Sequence, residues 1–130
     1  MIAQWYRWRN DAMMASMNVA DRSHARVIRI QQAIREQPGL DGWLFYVFRH
    51  LDPIAYRVLL LDPSLHVTRR WYYWVPAQGT PVKRQHRIEP HVLDGLPGDA
   101  HAYVSWRDQQ AALGSLLHPA KRIAMQYSPM

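Results

Sequence analysis

Cysteine is absent from the 130 residues, which excludes disulfides, thiolate metal sites and cysteine nucleophiles and fits a reducing compartment. Long apolar runs are missing as well. No stretch approaches the roughly 18 residues a membrane span needs, and Trp5, Arg7, Trp8, Arg9 and Asp11 interrupt any signal-like apolar segment at the N-terminus. The expectation is therefore a cytoplasmic protein with no membrane partner. Glycine is scarce at six residues, and neither G-x-G-x-x-G nor G-x-x-x-x-G-K-S/T occurs, so the usual phosphate cradles are excluded. There is no G-x-S-x-G elbow for a serine nucleophile, and Ser105 reads as a helix cap. Acidic residues number only ten; Asp52 and Asp62 flank a short helix as cap and loop residue, and nothing resembles a two-metal acid cluster.

What is present is enough for one domain. A chain of this length buries roughly two thirds of the surface it exposes when unfolded, and 48% hydrophobic with 20% charged residues is a globular composition. The formal charge of +6 invites a nucleic-acid partner. Its distribution speaks against one, because the sixteen lysines and arginines are spread along the chain in runs no longer than two, whereas an electrostatic footprint needs clustering.

Residues 1–20 read as an N-terminal extension, with Ile2, Trp5, Ala12, Met13 and Met17 on a loose helical stripe or poorly ordered. From Asp21 the pattern is firmer and defines a domain over 21–130. Val27, Ile30, Ala33 and Ile34 give one apolar helical face, with Asp21 or Ser23 as N-cap and Pro38-Gly39 as the stop. In the run from Asp41 to Phe48 the residues after the opening Asp-Gly are continuously apolar and aromatic, as a strand buried on both faces requires. Asp52, Pro53 and Pro63 bracket a short helix. Two strands around Gly79 form a hairpin, and a helical turn follows in "PHVLDGLPG". A strand at "AHAYVS", a helix from Trp106 to Leu117 capped by Ser105 with Asp108, and a last strand at "KRIAMQYS" complete the chain. The fold class is α/β, a mixed sheet flanked by helices on both faces.

The most unusual stretch is "TRRWYYWVP", Thr68 to Pro76, where two arginines meet four aromatic rings. Basic grooves lined with rings hold single-stranded nucleic acid. In a strand, however, Arg69, Trp71, Tyr73 and Val75 fall on one face and Arg70, Tyr72 and Trp74 on the other. Rings divided between two faces suit a covered sheet better than an exposed stacking platform. The histidines carry little metal signal: His86, Glu89 and His91 lie close in sequence, but a strand sends His86 and Glu89 opposite ways and Pro90 intervenes.

Three stretches, "DGWLFYVFRHLDPIA", "TRRWYYWVPAQGTPVKRQHRIEPHVLDGLPG" and "KRIAMQYSP", resemble the N-terminal domain of the creatinase, prolidase and Xaa-Pro aminopeptidase (aminopeptidase P) group of metallopeptidases. The resemblance spans roughly residues 21–129. It implies a ribonuclease H-like shape without that enzyme's activity, cut short of the family's closing helix and strand. It also implies that catalysis belongs to a separate pita-bread domain, where two aspartates, one histidine and two glutamates hold two divalent ions, commonly manganese, cobalt or zinc. This chain departs from the family pattern at Val47, His50, Asp52 and Gln126.

The function expected on this basis is a non-catalytic domain with no cofactor of its own. It would make subunit contacts within a homo-oligomer and shape access to the active site of its own catalytic domain. Arg49, Trp71, Tyr73 and Trp74 are the candidates for the interface or entrance face, with Trp71 and Tyr73 nearest an intersubunit contact. The alternative is a free-standing basic module that binds nucleic acid through the aromatic hairpin.

Overall fold

The computed structural model describes residues 19–126, so the expected N-terminal stripe lies outside the described residues. Helix α1 (Val19–Arg35) is followed by strand β1 (Gly42–Phe48), helix α2 (Pro53–Leu59), strands β2 (Arg70–Pro76), β3 (Val82–His86) and β4 (Asp99–Tyr103), helix α3 (Trp106–Leu117) and strand β5 (Ile123–Met125). This is an α/β chain with one five-stranded sheet in the order β4-β3-β2-β1-β5. β2 runs antiparallel to both β1 and β3, while β4 is parallel to β3 and β5 parallel to β1. All strands except β2 therefore point the same way.

Pairing of β1 with β2 extends over the full length of both strands, from Gly42 opposite Pro76 to Phe48 opposite Arg70. Side chains alternate, and the two faces carry separate hydrophobic clusters. Phe45, Val47, Trp71, Tyr73 and Val75 cluster with Val27, Ile30 and Ile34 of α1 and with Ala55, Tyr56 and Leu59 of α2. Leu44, Tyr72 and Trp74 cluster with Leu113, Leu116 and Leu117 of α3 and with Ile123 of β5. Gly42 is fixed by this packing, because a Cβ there would collide with the Trp74 ring and stand 2.7 Å from the Val75 carbonyl oxygen.

Two sequence expectations are corrected. Asp21 and Ser23 are not N-caps, since α1 already includes Val19 and Ser23 is buried within it. Residues 90–95 form successive turns instead of a helical turn. Their shape is imposed by tertiary hydrogen bonds from β3: Gln85 donates to the Pro90 carbonyl and accepts from Leu93 N–H, while Lys83 Nζ donates to the carbonyls of Leu93 (3.1 Å) and Leu96 (2.7 Å). Those bonds seat Leu93 and Leu96 in the core. Helix α2 keeps its expected cap, with Asp52 Oδ1 accepting from Ala55 N–H, but it ends at Leu59 before Pro63 because Leu60 turns left-handed at φ 57°.

The phenol of Tyr73 donates to the Pro97 carbonyl at 2.6 Å, and burial raises its pKa far enough to keep it a donor throughout the ordinary range. Tyr73→Phe should cost about 1–2 kcal/mol in a denaturant titration, the loss for a buried carbonyl left without its donor.

At the far edge, Asp41 Oδ2 accepts from Lys121 N–H (2.7 Å) and Arg122 N–H (2.9 Å), and Asp41 N–H donates to Arg122 O, fastening β5 beside the start of β1. The Arg122 and Lys121 hydrogen bonds lower the Asp41 pKa below its ordinary 3.8. A lowered carboxylate pKa favours the folded state above the ordinary value, and the contribution disappears as pH falls through the lowered one. The stability difference between the native chain and Asp41→Ala should therefore be constant at neutral pH and shrink on acidification below about pH 4; equal acid titration curves would overturn this.

Candidate functional site

Strands β1, β3 and β4 share a direction and end together, at Phe48, His86 and Tyr103. On the face carrying α3 their last side chains, with Arg70 from the start of β2, floor a groove of about 720 Å³ whose wall is the first turns of α3. This is the volume range of small-molecule sites, at the strand ends where open α/β sheets bind ligands.

Register explains the floor. Phe48 and Arg70 are direct cross-strand partners, and the Arg70 guanidinium carbon lies 4.4 Å from the Phe48 ring centroid. Tyr46 and Tyr72, the next inward-facing pair, stack at 6.4 Å. His86 opposes Tyr103 across the parallel β3–β4 ladder, edge to face at 5.1 Å. The Tyr103 hydroxyl donates to the Arg70 carbonyl, and burial raises its pKa, so the donor persists. The His86 ring has both nitrogens engaged: Nδ1 accepts from Ile88 N–H at 3.2 Å, which leaves Nε2 to donate to the Val104 carbonyl at 2.9 Å. It is a strut between β3 and the segment leading to α3.

The wall follows from the cap. Ser105 Oγ accepts from Asp108 N–H, one arm of the expected capping box. The other arm is diverted, since Asp108 Oδ1 accepts from Arg84 at 3.1 Å and ties the helix start to β3. Trp106, 69% exposed, stands at the mouth, and Gln109 lies one turn inside. Gln109 is only 2% exposed, and among the described residues neither atom of its amide has a hydrogen-bond partner.

Among the described residues no acidic side chain lines the groove, whereas Arg69 and Arg70 both do. The neighbouring Glu89 has its carboxylate occupied, accepting from Thr68 N–H, Thr68 Oγ1 and Arg69 N–H. His91 pairs with Asp94, away from His86 and Glu89 in its contacts. Among the described residues no group of three or more histidine, aspartate or glutamate side chains is placed to share a metal ion.

The four residues singled out in the sequence are not brought together. Trp71 and Tyr73, 1% and 0% exposed, lie on the central strand beneath α1 and α2, so neither stands at a sheet edge. Trp74, 7% exposed, faces the other way toward α3. Arg49 is exposed, in a left-handed turn at φ 56°, with its guanidinium 5.0 Å from the Phe48 ring at the groove margin. The rings of the hairpin are thus core, and an aromatic stacking platform on that strand is ruled out. Sequence reasoning weighed His86 only as a metal ligand and passed over Tyr46, Tyr103 and Gln109. Only Gln109 left a signal, a glutamine at a position that shares the inward stripe of Leu113, Leu116 and Leu117.

No protein-family model matches the chain, and no curated protein matches it either. Among the described residues no helix is long and apolar enough to cross a membrane.

The His86 hydrogen bonds make a spectroscopic prediction. Long-range proton–nitrogen NMR in mildly basic buffer should show the Nε2–H tautomer, with Nδ1 as the unprotonated nitrogen; the opposite tautomer, or rapid exchange between the two, would refute the strut.

Proposed function

We propose that this chain is the non-catalytic N-terminal domain of a Xaa-Pro aminopeptidase- or prolidase-like metallopeptidase. In the whole hydrolase it contributes subunit contacts and shapes access to the active site. One observation supports the reading above the others. The three separated stretches that carry the resemblance supply β1, β2, β3 and β5, four neighbouring strands of one sheet, so they form one continuous structural unit.

The finer features belong to the same proposal: a ribonuclease H-like shape covered by helices on both faces, a cytoplasmic setting and a homo-oligomeric enzyme. Two divalent ions, manganese, cobalt or zinc, would be held in a separate pita-bread domain and would supply water activation and carbonyl polarisation there. Trp71, Tyr73 and Trp74 then serve the domain by stiffening its sheet, and Arg49 is the one member of the original set positioned to meet a neighbouring surface.

The test is genetic and enzymatic together. Reading the gene past the codon for Met130 should reveal a pita-bread domain, in frame or adjacent, with two aspartates, one histidine and two glutamates in ligand positions. The pure chain alone should not cleave Xaa-Pro dipeptides when manganese, cobalt or zinc is supplied. Chelator-sensitive turnover by the pure chain, or neighbouring sequence without such a domain, would overturn the proposal.

A further inference from the structure

The groove between α3 and the strand ends has a chemistry that an accessory, contact-making role does not require. It is cationic on one side, where Arg69 and Arg70 are exposed at the start of β2. It is aromatic on the floor and at the mouth, through Phe48, Tyr103 and Trp106. α3 adds the partial positive charge of a twelve-residue helix, whose first N–H groups have no intrahelical partner. The first-turn carboxylate that would repel an anion, Asp108, is paired with Arg84.

A helix end beside two arginines would not by itself define a ligand. Gln109 adds an independent observation, because a buried amide with both its donor and its acceptor unpartnered is costly to keep. It is matched by a planar ring that presents an acceptor beside a donor along one edge, as a nucleobase does. Arginines and a helix N-terminus suit the phosphate attached to such a ring, and ring stacking on the exposed Trp106 suits the base. A groove of about 720 Å³ holds one such unit.

The geometry points to a single-nucleotide site in this groove, with the base edge turned toward Gln109 and the phosphate toward Arg69, Arg70 and the start of α3. The same chemistry is offered by a free mononucleotide and by one residue of a single strand. This inference does not depend on the metallopeptidase reading and stands or falls separately from it.

The probe is adenosine 5′-monophosphate, titrated into the full chain by calorimetry and by proton–nitrogen NMR, with adenosine and inorganic phosphate as controls. Saturable binding is expected, with shift changes concentrated on Tyr46, Phe48, His86, Tyr103 and Trp106, and with each control at least about tenfold weaker because it satisfies half the site. Arg69→Ala and Gln109→Leu should each weaken the nucleotide about tenfold. Gln109→Leu should leave the melting temperature unchanged or raised, since it removes an unpartnered buried amide. A short oligoadenylate that binds much more tightly than the monomer identifies the strand as the source, and equal affinity identifies the free nucleotide. Absence of saturation at millimolar nucleotide, shifts outside the groove, or full affinity in both variants would overturn the site.

Discussion

The paired strands β1 and β2 are large and apolar on both of their faces, and the rest of the molecule answers that constraint. A sheet with Phe45, Trp71 and Tyr73 on one side and Leu44, Tyr72 and Trp74 on the other cannot leave either side to water. α1 and α2 close the first face with Val27, Ile30, Ile34 and Leu59. Among the described residues the second face has only α3, which leaves β4 at one edge of the sheet and delivers the chain to β5 at the other. Its apolar residues are concentrated in its second half, where Leu113, Leu116 and Leu117 lie over Leu44 and Trp74. The opposite end of the same face, at Phe48 and Arg70, receives only the polar first turns of the helix. Among the described residues, the groove is the part of this face that the one helix leaves uncovered.

Polar groups in this fold act mainly as fasteners for irregular chain. Lys83 and Gln85 hold the turns at residues 90–96, Asp41 holds the approach to β5, and Gln31 and Arg35 reach from α1 to the carbonyls of Pro76, Gly79 and Ala77. Each bond replaces water at a backbone group that no helix or strand satisfies. Several arginines find ring faces in place of carboxylates: Arg49 and Arg70 over Phe48, Arg107 over Trp106. Part of the formal charge of +6 is thus held against rings and not opposite carboxylates.

Local chemistry made most elements legible. The proline and aspartate around α2, the serine before α3 and the glycine of the hairpin specify their positions by their own backbone preferences, and the alternation in β2 specifies which ring faces which layer. What could not be read is tertiary in origin. Residues 90–95 carry enough helix-compatible sequence to suggest a helical turn, and only Gln85 and Lys83, which arrive from another strand, decide otherwise. The start of α1 was misplaced because Asp21 and Ser23 are good capping residues, while the helix continues through them to bury Ser23. The groove was illegible for a related reason: its floor comes from four strands, and register alone aligns Phe48, Arg70, His86 and Tyr103.

Gln109 distinguishes the groove from a simple packing defect. Where a helix covers a sheet incompletely, the inexpensive solution is an apolar residue at the margin, and Leu113 one turn on shows that α3 uses it. At the equivalent inward position nearer the groove stands an amide that is buried yet unpartnered, next to a floor that combines rings with guanidinium groups. A leucine at that position would seal the same surface without the desolvation penalty. The polar residue makes physical sense if the groove is filled, since a ligand that supplies both hydrogen bonds turns a destabilising group in the empty protein into a selective one in the complex.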